Sequence, residues 1–172
     1  QPVEIRLRSG VQRDGTLTFR DVDSLLNNGA HTSWGATTPY VMMRTFTSHF
    51  RVPHIRYIAK AVYTNNPYAG SFRGYGNVQA TFCTASHADM LAEAVGMDPI
   101  AFGIHNAQAA GEVTPQGSLL ADCALAECLT MAAEKTDFQA KHRAGAAERH
   151  TPGRIKRGIG LASSIHNAGG AK

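Results

Sequence analysis

The sequence predicts a mixed α/β (α+β) fold, and three observations support this prediction. Residues 3–9 alternate between apolar and charged side chains, which is typical of a half-buried β-strand. The stretches 78–95 and 123–134 repeat apolar or small residues at helical spacing. Turn-forming residues separate these stretches, so strands and helices are expected in the same chain.

The first two strands are predicted to form a hairpin. Asp14-Gly15 lies between the strand at 3–9 and a second strand pattern at 16–26, and Asp-Gly is a favoured hairpin turn. Leu17 and Phe19 place apolar side chains on one face, and Asp21 then interrupts the alternation. We therefore expect a bulge or a change of face near Asp21.

The middle of the chain predicts two helices around a third strand. Thr38-Pro39 is a helix-start signal, and the helix is expected to run to about His49. Residues 54–64 carry apolar side chains on both faces, which favours a strand inside the sheet. Asn77 is expected to cap a long helix that runs to about Val95 and ends at Gly96. Its predicted buried face comprises Val78, Phe82, Ala85, Ala88, Ala92 and Val95.

The last third predicts shorter elements. Asp98-Pro99 begins a short helix, residues 107–121 form a loop, and a further helix covers about 123–134. That helix is expected to bury Leu125, Cys128, Leu129 and Ala132. Residues 137–150 are predicted to be an exposed helix or linker, and residues 155–165 a strand. We divide the chain into one domain over 1–150 and the start of a second over 151–172.

Composition excludes several classes of protein. Of the 172 residues, 43% are apolar, which is ordinary for a folded domain. The net charge of +4 is scattered, so nucleic-acid binding has only charge in its favour. No apolar run is long enough to span a membrane. The three cysteines lack metal-ligand spacing and are expected to be reduced, mostly buried thiols. The histidines are isolated and are expected to lie at the surface or at helix caps, without a protein-ligated metal.

The segment 69–77 carries the clearest chemical signal. Gly74 and Gly76 allow the backbone to approach a ligand closely, and the segment leads into a helix N-terminus, which favours anions. Arg73 could donate a forked pair of hydrogen bonds, and Tyr75 could offer a flat face to a planar substrate. The alternative is that a tight turn simply needs glycines and that Arg73 pairs with a carboxylate.

The stretch 64–79, Thr-Asn-Asn-Pro-Tyr-Ala-Gly-Ser-Phe-Arg-Gly-Tyr-Gly-Asn-Val-Gln, resembles the arginine loop of the xanthine dehydrogenase/aldehyde oxidase family. It is most similar to bacterial members, including 4-hydroxybenzoyl-CoA reductase-like subunits. Segments 21–30, 39–46 and 112–117 also fit the family. Residues 157–162 resemble the start of its second molybdopterin-binding domain, so 1–150 would be part of the first. The absence of a cysteine before Phe72 argues against the carbon monoxide dehydrogenase branch.

The resemblance implies roles for individual residues. Arg73 would lie beside the molybdenum, with Gly74 and Gly76 helping to bind the cofactor. Tyr75 would stand against the planar substrate. Arg44 would match a helix arginine that orients and polarises substrate, although a surface arginine remains the alternative.

The implied activity is hydroxylation of an aldehyde or an aromatic or N-heterocyclic substrate at a Mo-molybdopterin centre, in the cytosine dinucleotide form. Partner subunits would carry 2Fe-2S and FAD, and the rest of the same subunit would complete the site. The family's base glutamate would lie beyond Lys172, so the isolated piece is expected to be inactive. A cytoplasmic location is expected. The alternatives are a non-catalytic module with the same fold and reductive dehydroxylation of an aromatic acyl-CoA.

Overall fold

The computed structural model describes residues 1–148 and 151–166. Residues 149–150 of the predicted helix or linker, and residues 167–172 of the predicted second domain, therefore lie outside the described residues. The elements are β1 (Val3–Val11), β2 (Leu17–Gly29), a short 3-10 helix (Trp34–Thr37), α1 (Thr38–Ser48), β3 (His54–Tyr63), α2 (Asn77–Val95), α3 (Pro99–His105), α4 (Leu125–Thr136) and α5 (Phe138–Glu148).

The described strands form one sheet in the order β1-β2-β3. β1 pairs with β2 in antiparallel register, which confirms the hairpin, and β2 pairs with β3 in parallel register. Asp21 itself pairs regularly with Arg8, and the irregularity expected near Asp21 lies three residues earlier, at Thr18. The register of β1 with β2 skips Thr18, and this skip produces the change of face.

β3 was expected inside the sheet, but it lies at an edge of the described sheet because the central position belongs to β2. One sheet face carries a charge ladder in which Arg8 and Arg56 both pair with Asp21. The opposite face is covered by helices. Val22 and Leu26 of the central strand are fully buried there, against residues of α1 and α2.

Two apolar clusters hold the helices in place. One lies between the sheet and the first two helices and contains Val22, Leu26, Met42, Phe46 and Ala80. The other lies among the later helices and includes Leu17, Phe50, Phe102, Leu129 and Phe138. Ile159 and Leu161 pack against this second cluster, so the downstream segment contacts the core. This contact brings residues of the 161–166 segment close to α1 and α2.

Several predictions of burial and structure were wrong. Val78 and Phe82 are 62% and 75% exposed, because α2 buries Ala80 and Thr84 in their place, whereas the predicted burial of Ala88 and Ala92 is confirmed. Cys128 is exposed on α4 rather than inside. His49 is the C-cap residue of α1, which is one of the two predicted positions for a histidine, but it is completely buried beneath α2. Residues 155–165 form no strand, since they join no ladder with a described strand.

No helix among residues 1–148 and 151–166 has the length and apolar character needed to cross a membrane.

Candidate functional site

Backbone hydrogen bonds hold the loop between β3 and α2 against the end of β2 and the short 3-10 helix. The Ala69 amide donates to the Asn28 carbonyl at 2.8 Å, and the Gly35 amide donates to the Ala69 carbonyl at 3.1 Å. A side chain at Gly29 would collide with the backbone of Pro67, since its Cβ would lie 2.2 Å from that carbonyl oxygen. The sequence therefore needs glycine here for the two backbones to meet.

Three consecutive residues of the loop have left-handed backbone conformations. The φ angles are 85° at Gly74, 46° at Tyr75 and 95° at Gly76. Glycine adopts this conformation easily, but a tyrosine rarely does, and such strain is concentrated at functional sites. Gly76 also packs against α1, because a Cβ there would lie 2.9 Å from Met42 Cγ. The turn thus fixes the loop against the helix.

Tyr75 is held by Trp34. The Tyr75 hydroxyl donates to the Trp34 carbonyl at 3.0 Å, and the two rings meet edge to face with centroids 6.2 Å apart. Burial raises the pKa of the Tyr75 hydroxyl, so it stays protonated and keeps donating. Trp34 is itself 66% exposed. We did not assign it to the site from the sequence, although a lone tryptophan in a polar loop was an available signal.

Arg73 extends into solvent at the tip of the loop. Its guanidinium carbon lies 5.9 Å from the centre of the exposed Phe72 ring. Within residues 1–148 and 151–166 it forms no ion pair and no hydrogen bond, so the alternative pairing with a carboxylate is not found there. The 19-residue helix α2 begins four residues after Arg73, and its first turn carries the backbone N–H groups that favour anions.

Arg44 lies on a different element from the other predicted residues. The structure brings Arg73, Gly74, Tyr75 and Gly76 together in one loop, whereas Arg44 is a half-buried residue of α1. It is two positions from Met42, the residue that Gly76 contacts. The helix that carries Arg44 therefore supports the loop directly.

Asn77, the first residue of α2, connects the loop with two distant parts of the chain. The Thr45 hydroxyl of α1 donates to Asn77 Oδ1. Asn77 Nδ2 lies 2.6 Å from Nδ1 of His166. The predicted cap at Asn77 is wrong, because Gly76 is the N-cap residue of α2. The contact with His166 could not be predicted, because a partner 89 residues away leaves no local sequence signal.

These residues suit a large anionic cofactor. The Arg73 guanidinium provides a cationic donor, and the N-terminus of α2 provides N–H donors, for phosphate or oxo groups that the side-chain-free positions Gly74 and Gly76 leave room to approach. Arg73 gives the strongest structural support. Its guanidinium group has no anionic partner among the described residues and can therefore bind an anionic ligand. The loop tip is open, with Phe72 86% exposed.

Comparison with known proteins gives consistent results. Residues 1–107 match the family described as the molybdopterin cofactor-binding domain. The chain is 39% identical over 139 residues to the nicotinate dehydrogenase large molybdopterin subunit of Eubacterium barkeri, covering 78% of this chain and 32% of that protein. It is 34% identical over 154 residues to the xanthine dehydrogenase molybdenum-binding subunit of Escherichia coli O157:H7, covering 89% and 20%.

A solved structure agrees with these relatives. The aldehyde oxidoreductase of Desulfovibrio gigas superimposes with a TM-score of 0.71 at 27% identity, covering 85% of this chain and 16% of that one. The chain thus spans a third or less of the length of these proteins. The mixed α/β fold is therefore the one found in that enzyme. Since the family match covers more than half of the residues, the chain belongs to the molybdopterin cofactor-binding domain family.

Proposed function

We propose that the protein containing this chain is the molybdenum-cofactor subunit of a hydroxylase that oxidises an aldehyde or an aromatic or N-heterocyclic compound. One observation carries the proposal. Arg73, with no anionic partner in the described chain, stands beside the left-handed Gly74-Tyr75-Gly76 turn in a family that binds molybdopterin. Such strain persists only where the surrounding structure enforces it and is typical of functional sites.

The cofactor supplies the redox and hydroxylation chemistry when it is bound. The protein supplies position and charge. Arg73 is the residue that would hydrogen-bond the oxo or phosphate oxygens, because a guanidinium can donate two parallel bonds to one anionic group. Gly74 and Gly76 would let the backbone approach the cofactor without a side chain in between.

Substrate would be placed by side chains on both sides of the turn. The Tyr75 ring is fixed by its hydroxyl bond to Trp34, so it can offer a planar substrate a face of constant orientation. Arg44 on α1 would orient the substrate and stabilise negative charge that develops on it. Oriented donors of this kind contribute on the order of 2–4 kcal/mol to the lowering of an activation barrier.

The names of the relatives support this substrate class. Nicotinate and xanthine are planar N-heterocycles, and the aligned solved structure is an aldehyde oxidoreductase. Two relatives are named as subunits, which supports assembly with other chains. We propose that these partners carry 2Fe-2S and FAD, that the cofactor is the cytosine dinucleotide form, and that the complex works in the cytoplasm.

Turnover by the full-length complex tests the proposal. The complex would be purified from cells grown with molybdate and assayed with benzaldehyde, nicotinate and xanthine, using a dye as electron acceptor. We expect at least one substrate to be oxidised, and we expect no oxidation by protein from cells grown with tungstate. If the molybdate-grown complex oxidises none of these or related compounds, the hydroxylase proposal is wrong.

A further inference from the structure

The segment 161–166 passes both helices that support the candidate site, and two side-chain hydrogen bonds tie it to them. Ser163 Oγ lies 3.0 Å from Nε2 of the buried His49, at the end of α1. His166 Nδ1 lies 2.6 Å from Nδ2 of Asn77, which directly follows Gly76. His166 therefore lies next to the start of α2, beside the loop that carries Arg73 and Tyr75.

The two contacts of Asn77 determine which nitrogen of His166 carries the proton. Because the Thr45 hydroxyl donates to Asn77 Oδ1, the amide nitrogen of Asn77 is the end that faces His166. An amide nitrogen only donates, so His166 Nδ1 must accept. With Nδ1 as the acceptor, Nε2 is the ring nitrogen that carries a proton. This Nε2–H group has no partner within residues 1–148 and 151–166.

His166 also lines a cleft of about 510 Å³ between the start of α4 and the segment 161–166. Its volume falls within the range of small-molecule sites. Leu125, Leu129 and Leu161 supply apolar surface, and Ser163 and Asp122 supply polar groups. His166 is thus shared between this cleft and the start of α2.

We propose that His166 orients the substrate by donating its Nε2–H hydrogen bond to an uncharged acceptor, such as a ring nitrogen, that lies away from the reacting carbon. The substrate class is a small planar N-heterocycle that lies between the Tyr75 turn and His166, with the ring edge away from the reacting carbon at the open end of the cleft. A single N–H donor suits an uncharged acceptor, and the carboxylate of Asp122 on the same cleft disfavours an anionic group there. This inference rests on the proposed function.

Two aldehydes that differ only in a ring nitrogen test the role of His166. In the full-length complex, His166→Phe is expected to lower kcat/KM for pyridine-3-carbaldehyde about tenfold, mainly through KM, because one hydrogen bond is lost. Benzaldehyde should change less than about twofold, since it has no ring acceptor. His166→Gln keeps an N–H donor and should restore most of the difference.

The matched control is His54→Phe, which removes an exposed histidine at the start of β3 and should change neither aldehyde. An equal loss for both aldehydes, or no loss for the pyridine compound, would overturn the orienting role of His166.

A second measurement does not depend on turnover. Nitrogen NMR of the ¹⁵N-histidine-labelled complex should show His166 protonated on Nε2. In Asn77→Asp both oxygens accept, so the proton of His166 should move to Nδ1. An unchanged tautomer would overturn the positioning by Asn77. If the wild-type complex oxidises neither these aldehydes nor nicotinate or xanthine, the proposed function fails, and the tautomer measurement still decides whether Asn77 positions His166.

Discussion

The hydroxyl of Tyr75 donates a 3.0 Å hydrogen bond to the backbone carbonyl of Trp34, and the two rings lie edge to face. This bond joins the strained turn before α2 to the short helix that precedes α1. It compensates for the left-handed backbone of Tyr75, whose φ is 46°. The aromatic face of the site therefore has a defined orientation before any ligand binds.

Two substitutions of Tyr75 test the contribution of its hydrogen bond and the contribution of its aromatic ring separately. Tyr75→Phe should cost about 0.5–1.5 kcal/mol in free energy of unfolding, because one hydrogen bond is lost, with little change in KM. Tyr75→Ala should raise KM clearly, because the planar face is removed. Thermal unfolding and steady-state kinetics measure the two effects. Tyr40→Phe, at an exposed position of α1, is the control and should change neither. A normal KM in Tyr75→Ala would refute the substrate contact.

Gly76 and Gly96 form a matched pair for testing the turn. Both have positive φ, 95° and 71°, but only Gly76 faces a helix. Gly96→Ala should cost about 1–2 kcal/mol from backbone strain alone, since nothing lies within 4 Å of its Cβ. Gly76→Ala should cost about 1–3 kcal/mol more, because its Cβ would overlap Met42 and Thr38. Equal losses of Tm in the two variants would show that the contact with α1 is unimportant.

Because His49 is buried, we expect the free energy of unfolding to fall in mild acid. Burial, followed by the positive charge of Arg20, lowers the pKa of His49 from 6.5 to about 4. The unfolded side chain therefore binds a proton at a higher pH than the folded one. Stability from neutral His49 is complete above pH 6.5 and is lost as the pH falls towards 4, by about 3 kcal/mol in total.

Unfolding of the full-length protein at pH 7, 6, 5 and 4 measures this loss. In His49→Gln, which keeps an amide near Thr84 and Ser163, the slope between pH 6.5 and 4 should become shallower by up to about 1.4 kcal/mol per pH unit. An identical slope in both proteins would show that His49 does not cause the acid sensitivity.

Replacing Arg44 is expected to weaken substrate oxidation without loss of the cofactor. Arg44→Gln in the full-length complex is expected to lower kcat/KM about tenfold or more, because a positioned cation is lost, while molybdenum content stays at the wild-type level. Arg143→Gln, at an exposed position of α5, is the charge-matched control. Unchanged kinetics in Arg44→Gln would favour the alternative, in which Arg44 is a surface arginine of the helix without a role in substrate binding.

Local patterns were sufficient to predict most elements. The alternation at 3–9 predicted β1, and Thr38-Pro39 and Asp98-Pro99 predicted the starts of α1 and α3. Asp98 indeed caps α3, since its carboxylate accepts from the amides of Ile100 and Ala101. The resemblance to a known arginine loop predicted the family and directed attention to Arg73 and Tyr75. The roles of these residues stay predictions.

The failures have a common physical cause, which is that burial depends on neighbours that are distant in sequence. Spacing alone allowed either face of α2 to be buried, and tertiary packing selected the face with Ala80 over the face with Phe82. His49 is buried because Thr84 and Ser163 satisfy its nitrogens, and neither partner is near it in sequence. The contact of Asn77 with His166 is of the same kind.

The most direct test of the central claim is the molybdenum content of the full-length complex, purified from molybdate-replete cells and measured by elemental analysis. We predict about one molybdenum atom per subunit, as expected for a resident cofactor, together with several iron atoms from the partner. Arg73→Gln should reduce the molybdenum content, whereas Arg143→Gln should not. A folded wild-type complex without molybdenum would contradict the account.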